Sequence, residues 1–387
     1  MENLLNEKVK KIQISGIRKF FNMVADEKDV VSLTIGQPDF YTPDHVKKAA
    51  TDALFHNKTT YTNNAGIIEL RKAIANFNET HYGISYDPES EIIVTTGASQ
   101  AIDITFRTIL SPGDEVILPG PIYPGYEPLI TLAGAKVVYA DTTNTDFKLT
   151  AETLMNQITS KTKCVVLPYP SNPTGASFSR EELQQLTDVL KDKDIFILAD
   201  EIYSELVFDR SHTSIAGFDS VKKKTIVING VSKSHSMTGF RIGYVLAPKW
   251  LSSHLLKVHQ YNVSCASSIS QYAALEALSG NTDSTTLMRE EYRKRRDYVY
   301  SRLIKMGLQV NNPEGAFYFF PKFPIKEMTS FELGLALVRE AKIALVPGDS
   351  FSMLGEGYMR LSYAYDMDTI TQGLNRLETF LQNAYLR

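Results

Sequence analysis

The 387-residue chain contains two cysteines and one tryptophan, no apolar run approaching the roughly 18 residues of a membrane span, and no surplus of positive charge. Each absence removes a class of protein. Two thiols cannot build a disulfide framework, so Cys164 and Cys265 read as small buried hydrophobes in a reducing compartment. With 41 Lys+Arg against 44 Asp+Glu and only short basic stretches (KKIQISGIRK, DSVKKKT), the chain lacks the concentrated charge that phosphate-backbone binding needs, which excludes nucleic acid as the main partner. The start, MENLLNEKVKK, has no apolar stretch of signal-peptide length; a cytoplasmic location with no membrane association is expected. The seven His form neither HExxH nor a His/Cys cluster at ligand spacing, so no metal site is expected. GxGxxG and GxxxxGK[ST] are both missing, which removes the usual dinucleotide and P-loop signatures.

What is present is an ordinary globular composition, 43% hydrophobic and 22% charged, long enough for two to three domains at roughly 150 residues each. From about residue 90 to 250 one pattern repeats: a short β-rich run ending in Gly, Pro, Asn or Asp, then a stretch of helical period. The strands are EIIVTT (91–96), EVILP (115–119), KVVYA (136–140), KCVVLP (163–168), IFILAD (195–200), TIVIN (225–229) and IGYVLA (242–247). They are apolar throughout rather than alternating, which fits a mainly parallel sheet covered on both faces; the fold class is α/β. Helices are expected at 98–110, 123–133, 179–191, 249–259, 265–279 and 284–306. A second mixed unit follows: AFYFF (316–320), a helix near 330–340, IALVP (343–347), YMRLSYA (358–364) and a closing helix from about 367. The stretch 1–43, with its strand VVSLTIG (30–36), has no complete core of its own and is expected to pack on this C-terminal unit.

Ligands of an open parallel sheet sit beyond the carboxyl ends of its strands, so the residues just after each strand carry the chemistry. Gly97, Ala98 and Ser99 open a helix whose free N–H groups suit a phosphate, although Ser99 and Asp103 equally suit ordinary helix-start chemistry. Ser171-Asn172-Pro173-Thr174-Gly175 would punctuate any turn; it would also hold Asn172 as a rigid amide donor. Asp200, three residues before Tyr203, is either a cap or a carboxylate carried up to face the crevice. The most informative stretch is SKSHSMTGFRIG (232–243). A free lysine amine, with a reference pKa of about 10.4, is a poor nucleophile, whereas one held near other cations in a desolvated pocket loses its proton and forms imines. Lys233 sits among small residues, with Arg241 nearby and glycines at 239 and 243 that allow close backbone approach.

With IGQPDF (35–40), YTNNAGIIELR (61–71), TTGASQA (95–101), PGPIYPGY (119–126), PYPSNPTG (168–175), ADEIY (199–203), GAFYFFP (315–321), VPGDSF (346–351) and YMRLSYA (358–364), this string resembles, in order and spacing, the class I/II aminotransferases, and the match spans nearly the whole chain. The resemblance implies pyridoxal 5′-phosphate (PLP) as cofactor on the fold type I scaffold: a seven-stranded, mainly parallel sheet with helices on both faces in a large domain (44–283), and a small α+β domain made of 1–43 and 284–387. Lys233 resembles the lysine that binds PLP covalently, Asp200 the carboxylate paired with the pyridine nitrogen, Tyr203 and Asn172 the donors to the ring oxygen, and Tyr123 the aromatic on the ring face. Ala98, Ser99 and Arg241 resemble the phosphate clamp, to which Tyr61 of a second subunit is added in a homodimer. Gly230 stands where many relatives carry a hydroxyl, so one phosphate hydrogen bond is absent or moved to Ser232; His235 is read as structural. Arg360 resembles the arginine that takes the substrate α-carboxylate, with Asn172 and the backbone of Gly36, and SGIRKF (15–20) borders the side-chain pocket in relatives.

The activity so implied is ping-pong amino transfer between an L-amino acid and a 2-oxo acid. The overall likeness is to a Gram-positive group assigned to N-acetyl-LL-diaminopimelate in lysine biosynthesis, exchanging with 2-oxoglutarate. Aromatic or aspartate transamination, a PLP-dependent C–S β-lyase and a non-catalytic ligand-sensing module are the alternatives, since fold alone does not fix the reaction.

Overall fold

A residue buried on either side of a sheet must be apolar whichever way it points, and the uninterrupted apolar runs become strands of that kind. The computed structural model describes residues 1–24, 27–280, 283–324 and 327–385. Among them, β1 is Val31–Ser32, β2 Ile92–Thr96, β3 Glu115–Gly120, β4 Lys136–Asp141, β5 Thr162–Pro168, β6 Phe196–Asp200, β7 Thr225–Gly230 and β8 Ile242–Leu246. A seven-stranded sheet runs β2-β8-β7-β6-β5-β3-β4, parallel except for β8, which is antiparallel to both its neighbours. In β5, Val165 and Leu167 join one core with Leu70, Ile74 and Phe77 of the Ile68–Tyr82 helix and Leu183 and Leu186 of the Arg180–Leu190 helix. Cys164 and Val166 point the other way, against Ile102 and Phe106 of the Gly97–Ile109 helix and Leu255 of the Lys249–Val263 helix. Cys164 is thus a buried core thiol as expected; Cys265 is only partly buried.

The chain ends meet in a third core. Here β9 (Tyr318–Phe319), β12 (Met359–Ser362) and β11 (Val346–Pro347) form an antiparallel sheet, and β10 (Ile343–Ala344) pairs in parallel with β1. Leu33 packs there with Tyr292 and Val299 of the Asp283–Lys305 helix, Leu337 of the Ser330–Ala341 helix and Leu374 of the Met367–Tyr385 helix. The expected strand over 30–36 forms only at Val31–Ser32. Beyond it the chain is held by single bonds, Ser362 N to Leu33 O at 2.8 Å and the amides of Thr34 and Ile35 to Tyr365 Oη at 3.2 and 3.0 Å. Helices Asp44–Phe55, Ile68–Tyr82 and Ala151–Gln157 were not expected from the sequence. No helix of the described residues is long and apolar enough to cross a membrane.

Candidate active site

A cavity of about 520 Å3 lies beyond the carboxyl ends of β2, β5, β6 and β7, roofed by residues 34–37, Tyr318 and Arg360. At the end of β7, Gly230 has no room for a side chain, because a Cβ there would lie 2.8 Å from Gly243 Cα and 2.8 Å from Ile242 O. The hydroxyl missing at this position is therefore excluded by the close approach of β8, while Ser232, two residues on, does line the cavity. A single helical turn, Val231–Ser234, then presents Lys233, whose Nζ donates to Gly36 O at 2.5 Å. Desolvation, then the Arg360 and Arg241 charges, push its pKa down to about 8 against the opposing pull of Asp200.

One end of the cavity is shaped for an anion. The Gly97–Ile109 helix has no side-chain cap from Thr96, and Ser99 lines the cavity instead of capping, so the first amides are left to an external acceptor. Arg241 reaches the same place from a left-handed backbone, φ 55° and ψ 52°. A Cβ on Gly97, itself at φ +75°, would lie 2.3 Å from Arg241 Nη2, and one on Gly243 would lie 2.5 Å from Ala98 N. Two glycines thus let a helix start and a guanidinium converge where any larger residue would separate them.

Asp200 stands at the tip of β6 in the middle of the cavity. Its Oδ2 accepts from Tyr126 Oη at 2.6 Å and its Oδ1 from Ile202 N at 3.2 Å, so it turns the local backbone and faces the crevice at once. Burial raises its pKa to about 6, while the two hydrogen bonds and Lys233 favour the charged form. Tyr123 packs edge-on against Tyr126, centroids 5.6 Å apart, with room given by Gly125, whose Cβ would meet Tyr123 Cε1 at 2.3 Å.

The opposite end holds Arg360 on β12. Its Nη1 donates to Asn172 Oδ1 at 2.9 Å and its Nη2 to Thr34 O at 2.6 Å. The guanidinium lies between the rings of Tyr318 and Phe351, 4.5 and 5.0 Å from their centroids, and its buried Nε has no hydrogen-bond partner among the described residues. A buried cation with an unused donor is prepared for an incoming carboxylate. Tyr203 Oη lies 2.8 Å from Tyr318 Oη.

Ala98, Ser99, Tyr123, Asn172, Asp200, Tyr203, Ser232, Lys233, Arg241, Arg360 and Gly36 all border this one cavity. Tyr61 does not; it is 87% exposed on the surface. His235 is buried with Nδ1 2.8 Å from Ser234 Oγ and lies outside the cavity lining. Sequence reasoning missed Tyr126 and Tyr318. Both lie within recognised strings, but nothing local distinguishes their phenols from core aromatics. Ile17 of SGIRKF does line the cavity, as does Phe21 just beyond it.

Residues 28–377 match the family described as aminotransferase class I and II. The chain is 61% identical over 381 residues to a protein named probable N-acetyl-LL-diaminopimelate aminotransferase of Bacillus subtilis (strain 168), covering 98% of this chain and 96% of that one. It is 38% identical over 386 residues to an aspartate aminotransferase of Pyrococcus abyssi, covering 99% of each. The crystal structure of an aromatic aminotransferase from Pyrococcus horikoshii OT3 superposes with a TM-score of 0.90 at 38% identity, over 96% of this chain and 100% of the other. Likeness of this extent in both sequence and fold shows that the chain belongs to the class I and II aminotransferases, on the fold type I scaffold, and is an enzyme of the transaminase type.

Proposed function

We propose that the cavity binds PLP and exchanges amino groups between N-acetyl-LL-diaminopimelate and 2-oxoglutarate, a reversible step of lysine biosynthesis. The observation that carries the cofactor reading is the convergence of a lysine amine, a buried carboxylate and a glycine-walled arginine cradle on one cavity. Those groups match an aldehyde, a ring nitrogen and a phosphate; PLP supplies an electron-withdrawing ring for the carbanion that amino transfer requires. In this reading Ala98, Ser99, Ser232 and Arg241 hold the phosphate, Asp200 keeps the ring nitrogen protonated, Tyr203 and Asn172 serve the ring oxygen, and Tyr123 covers the ring. Arg360, with Asn172 and Gly36, orients the substrate carboxylate. Lys233 Nζ would take the proton from the substrate Cα and return it to the cofactor carbon on the other side of the transferred nitrogen, first for an amino acid and then, in reverse, for a 2-oxo acid.

The substrate assignment is supported by the relative of 61% identity. Ile17, Phe21 and Ile35 on the cavity wall favour an aromatic amino acid as the second reading. We further propose a cytoplasmic homodimer in which Tyr61 completes the partner's phosphate site, its high exposure fitting that use, and a division into a large domain (44–283) and a small one (1–43 with 284–387). The test is a half-reaction panel that follows the bound-cofactor spectrum with each amino donor. Conversion by N-acetyl-LL-diaminopimelate is expected; silence towards it with conversion by phenylalanine favours the second reading, and pyruvate and ammonia from cystathionine without an acceptor favour a lyase. Lys233→Ala is expected to lose at least about a thousandfold in rate; amino exchange at the wild-type rate would overturn the assignment.

A further inference from the structure

Tyr318 touches both Arg360 at the carboxylate end and the phenol of Tyr203 at the proposed cofactor end. It lies on β9, paired in register with Ser362 of β12, next to Arg360. Its ring lies 4.5 Å from the Arg360 guanidinium, and its hydroxyl is 2.8 Å from that of Tyr203. The hydroxyl is also fixed from above, because a Cβ on Gly36 would lie 2.6 Å from it. Only 1% of Tyr318 is exposed, so no bulk water competes for these contacts.

A phenol has one proton to give. Between Tyr203 and Tyr318 a single proton position joins the two oxygens, and either can be the donor. If Tyr203 donates to Tyr318, it has nothing left to donate into the cavity. If Tyr318 donates, the Tyr203 proton is free to point at a ring oxygen, and a donor that is itself accepting a hydrogen bond is a stronger donor. The cation beside Tyr318 decides between them. Burial raises the pKa of both phenols and Arg360 opposes it in both, second only to burial in Tyr318 but behind the influence of Tyr318 itself in Tyr203, and it is the Tyr318 ring that the guanidinium lies against. The remaining groups that face Tyr318, Tyr123 and Tyr365, are phenols and bring no charge, and Lys233 Nζ lies 5.8 Å from the Tyr203 and Phe317 rings.

We infer that Tyr318 is a positioning residue: its hydroxyl, polarised by Arg360, donates to Tyr203 and so turns the Tyr203 proton toward the cofactor, tying the carboxylate arginine to the electronics of the ring. The inference rests on the proposed PLP site. Hydrogen bonding to an anionic ring oxygen favours the deprotonated chromophore, so weakening it raises the pH midpoint of the cofactor's absorbance change.

The experiment titrates that absorbance in PLP-loaded wild type, Tyr318→Phe, Tyr203→Phe and the double variant. Phe at 318 keeps the ring over Arg360 and removes only the hydroxyl. Tyr318→Phe is expected to raise the midpoint by about half a pH unit, Tyr203→Phe to raise it further, and the double variant to match Tyr203→Phe. An unchanged midpoint in Tyr318→Phe, or a full further shift on top of Tyr203→Phe, overturns the inference. Arg360→Gln gives an independent check: its upward shift should be smaller in Tyr318→Phe than in wild type, and equal shifts overturn the coupling. A wild-type protein that gains no Lys233-dependent absorbance with PLP overturns the cofactor reading itself and this inference with it.

Discussion

The two ends of the cavity are built in different ways. The Arg241 end is held by backbone: a helix start, two glycines without room for a Cβ, and a left-handed arginine. The Arg360 end is held by side chains that reach across between distant parts of the chain, Arg360 to Asn172 and to Thr34 O, and Tyr203 to Tyr318. Backbone cradles are rigid and suit an anion that stays; side-chain bonds can be exchanged and suit an anion that comes and goes in every half-reaction. Lys233 stands between them and feels both cations, Arg360 more than Arg241.

That ranking gives the largest expected effect. The Lys233 pKa is lowered to about 8, so the neutral amine dominates above that pH and falls tenfold for each unit below it. Capture of PLP by apoprotein, followed by stopped-flow absorbance, should therefore rise roughly fiftyfold from pH 6 to pH 8 and level off about a hundredfold above its pH 6 rate. The plateau should move to higher pH in Arg360→Gln, and by less in Arg241→Gln; the reverse order would break the comparison. Next, Arg360→Gln should raise the amino-donor KM by about 10- to 100-fold, the worth of a charged hydrogen-bonded contact, with a smaller change in PLP affinity. Gly97→Ala should do the opposite. A Cβ 2.3 Å from Arg241 Nη2, on a residue at φ +75°, displaces the guanidinium, and PLP affinity should fall by about tenfold or more. Equilibrium dialysis against steady-state KM separates the two variants.

The same contrast decides what was legible in the sequence. The seven strands of the large sheet announce themselves because their middles, buried on both faces in all but the edge strand β4, are apolar, and their observed ends fall within one residue of the apolar runs. The residues after those ends were read for the same reason. The roof is harder: β1, β9, β10 and β11 have two residues each, too short for any period to show, and the run 30–36 looks like a longer strand because Val31, Leu33 and Ile35 alternate with Ser32 and Thr34. Ala151–Gln157 buries only Leu154 and Asp44–Phe55 only Val46 and Ala53, which leaves almost no helical stripe. Ile68–Tyr82 did carry one, Leu70, Ile74 and Phe77, inside a stretch read for its motif instead. Tyr126 and Tyr318 escaped notice because their partners, Asp200 and Tyr203, are 74 and 115 residues away, and a phenol does not reveal from sequence which acid or hydroxyl it will meet.

The smallest expected effect tests whether side chains also matter at a strand tip, in the middle of the cavity between the two ends. Tyr126 and Asp200 are both buried, and their 2.6 Å hydrogen bond is made to the carboxylate form. Burial has already raised the Asp200 pKa to about 6; the Tyr126 bond is the first of the influences that hold it from going higher. Tyr126→Phe removes that bond and leaves the desolvation in place, so the pKa must rise. Since the ring nitrogen is proposed to pair with the ionised acid, PLP affinity in the variant should be lost at a higher pH on the acid side than in wild type. At pH 7 the loss should be about fivefold, the worth of one hydrogen bond. Binding measured from pH 5 to 8 checks this. An acid limb that does not move would mean that the strand tip alone keeps Asp200 ionised, so that backbone governs the middle of the cavity as well as its Arg241 end and side chains only the Arg360 end.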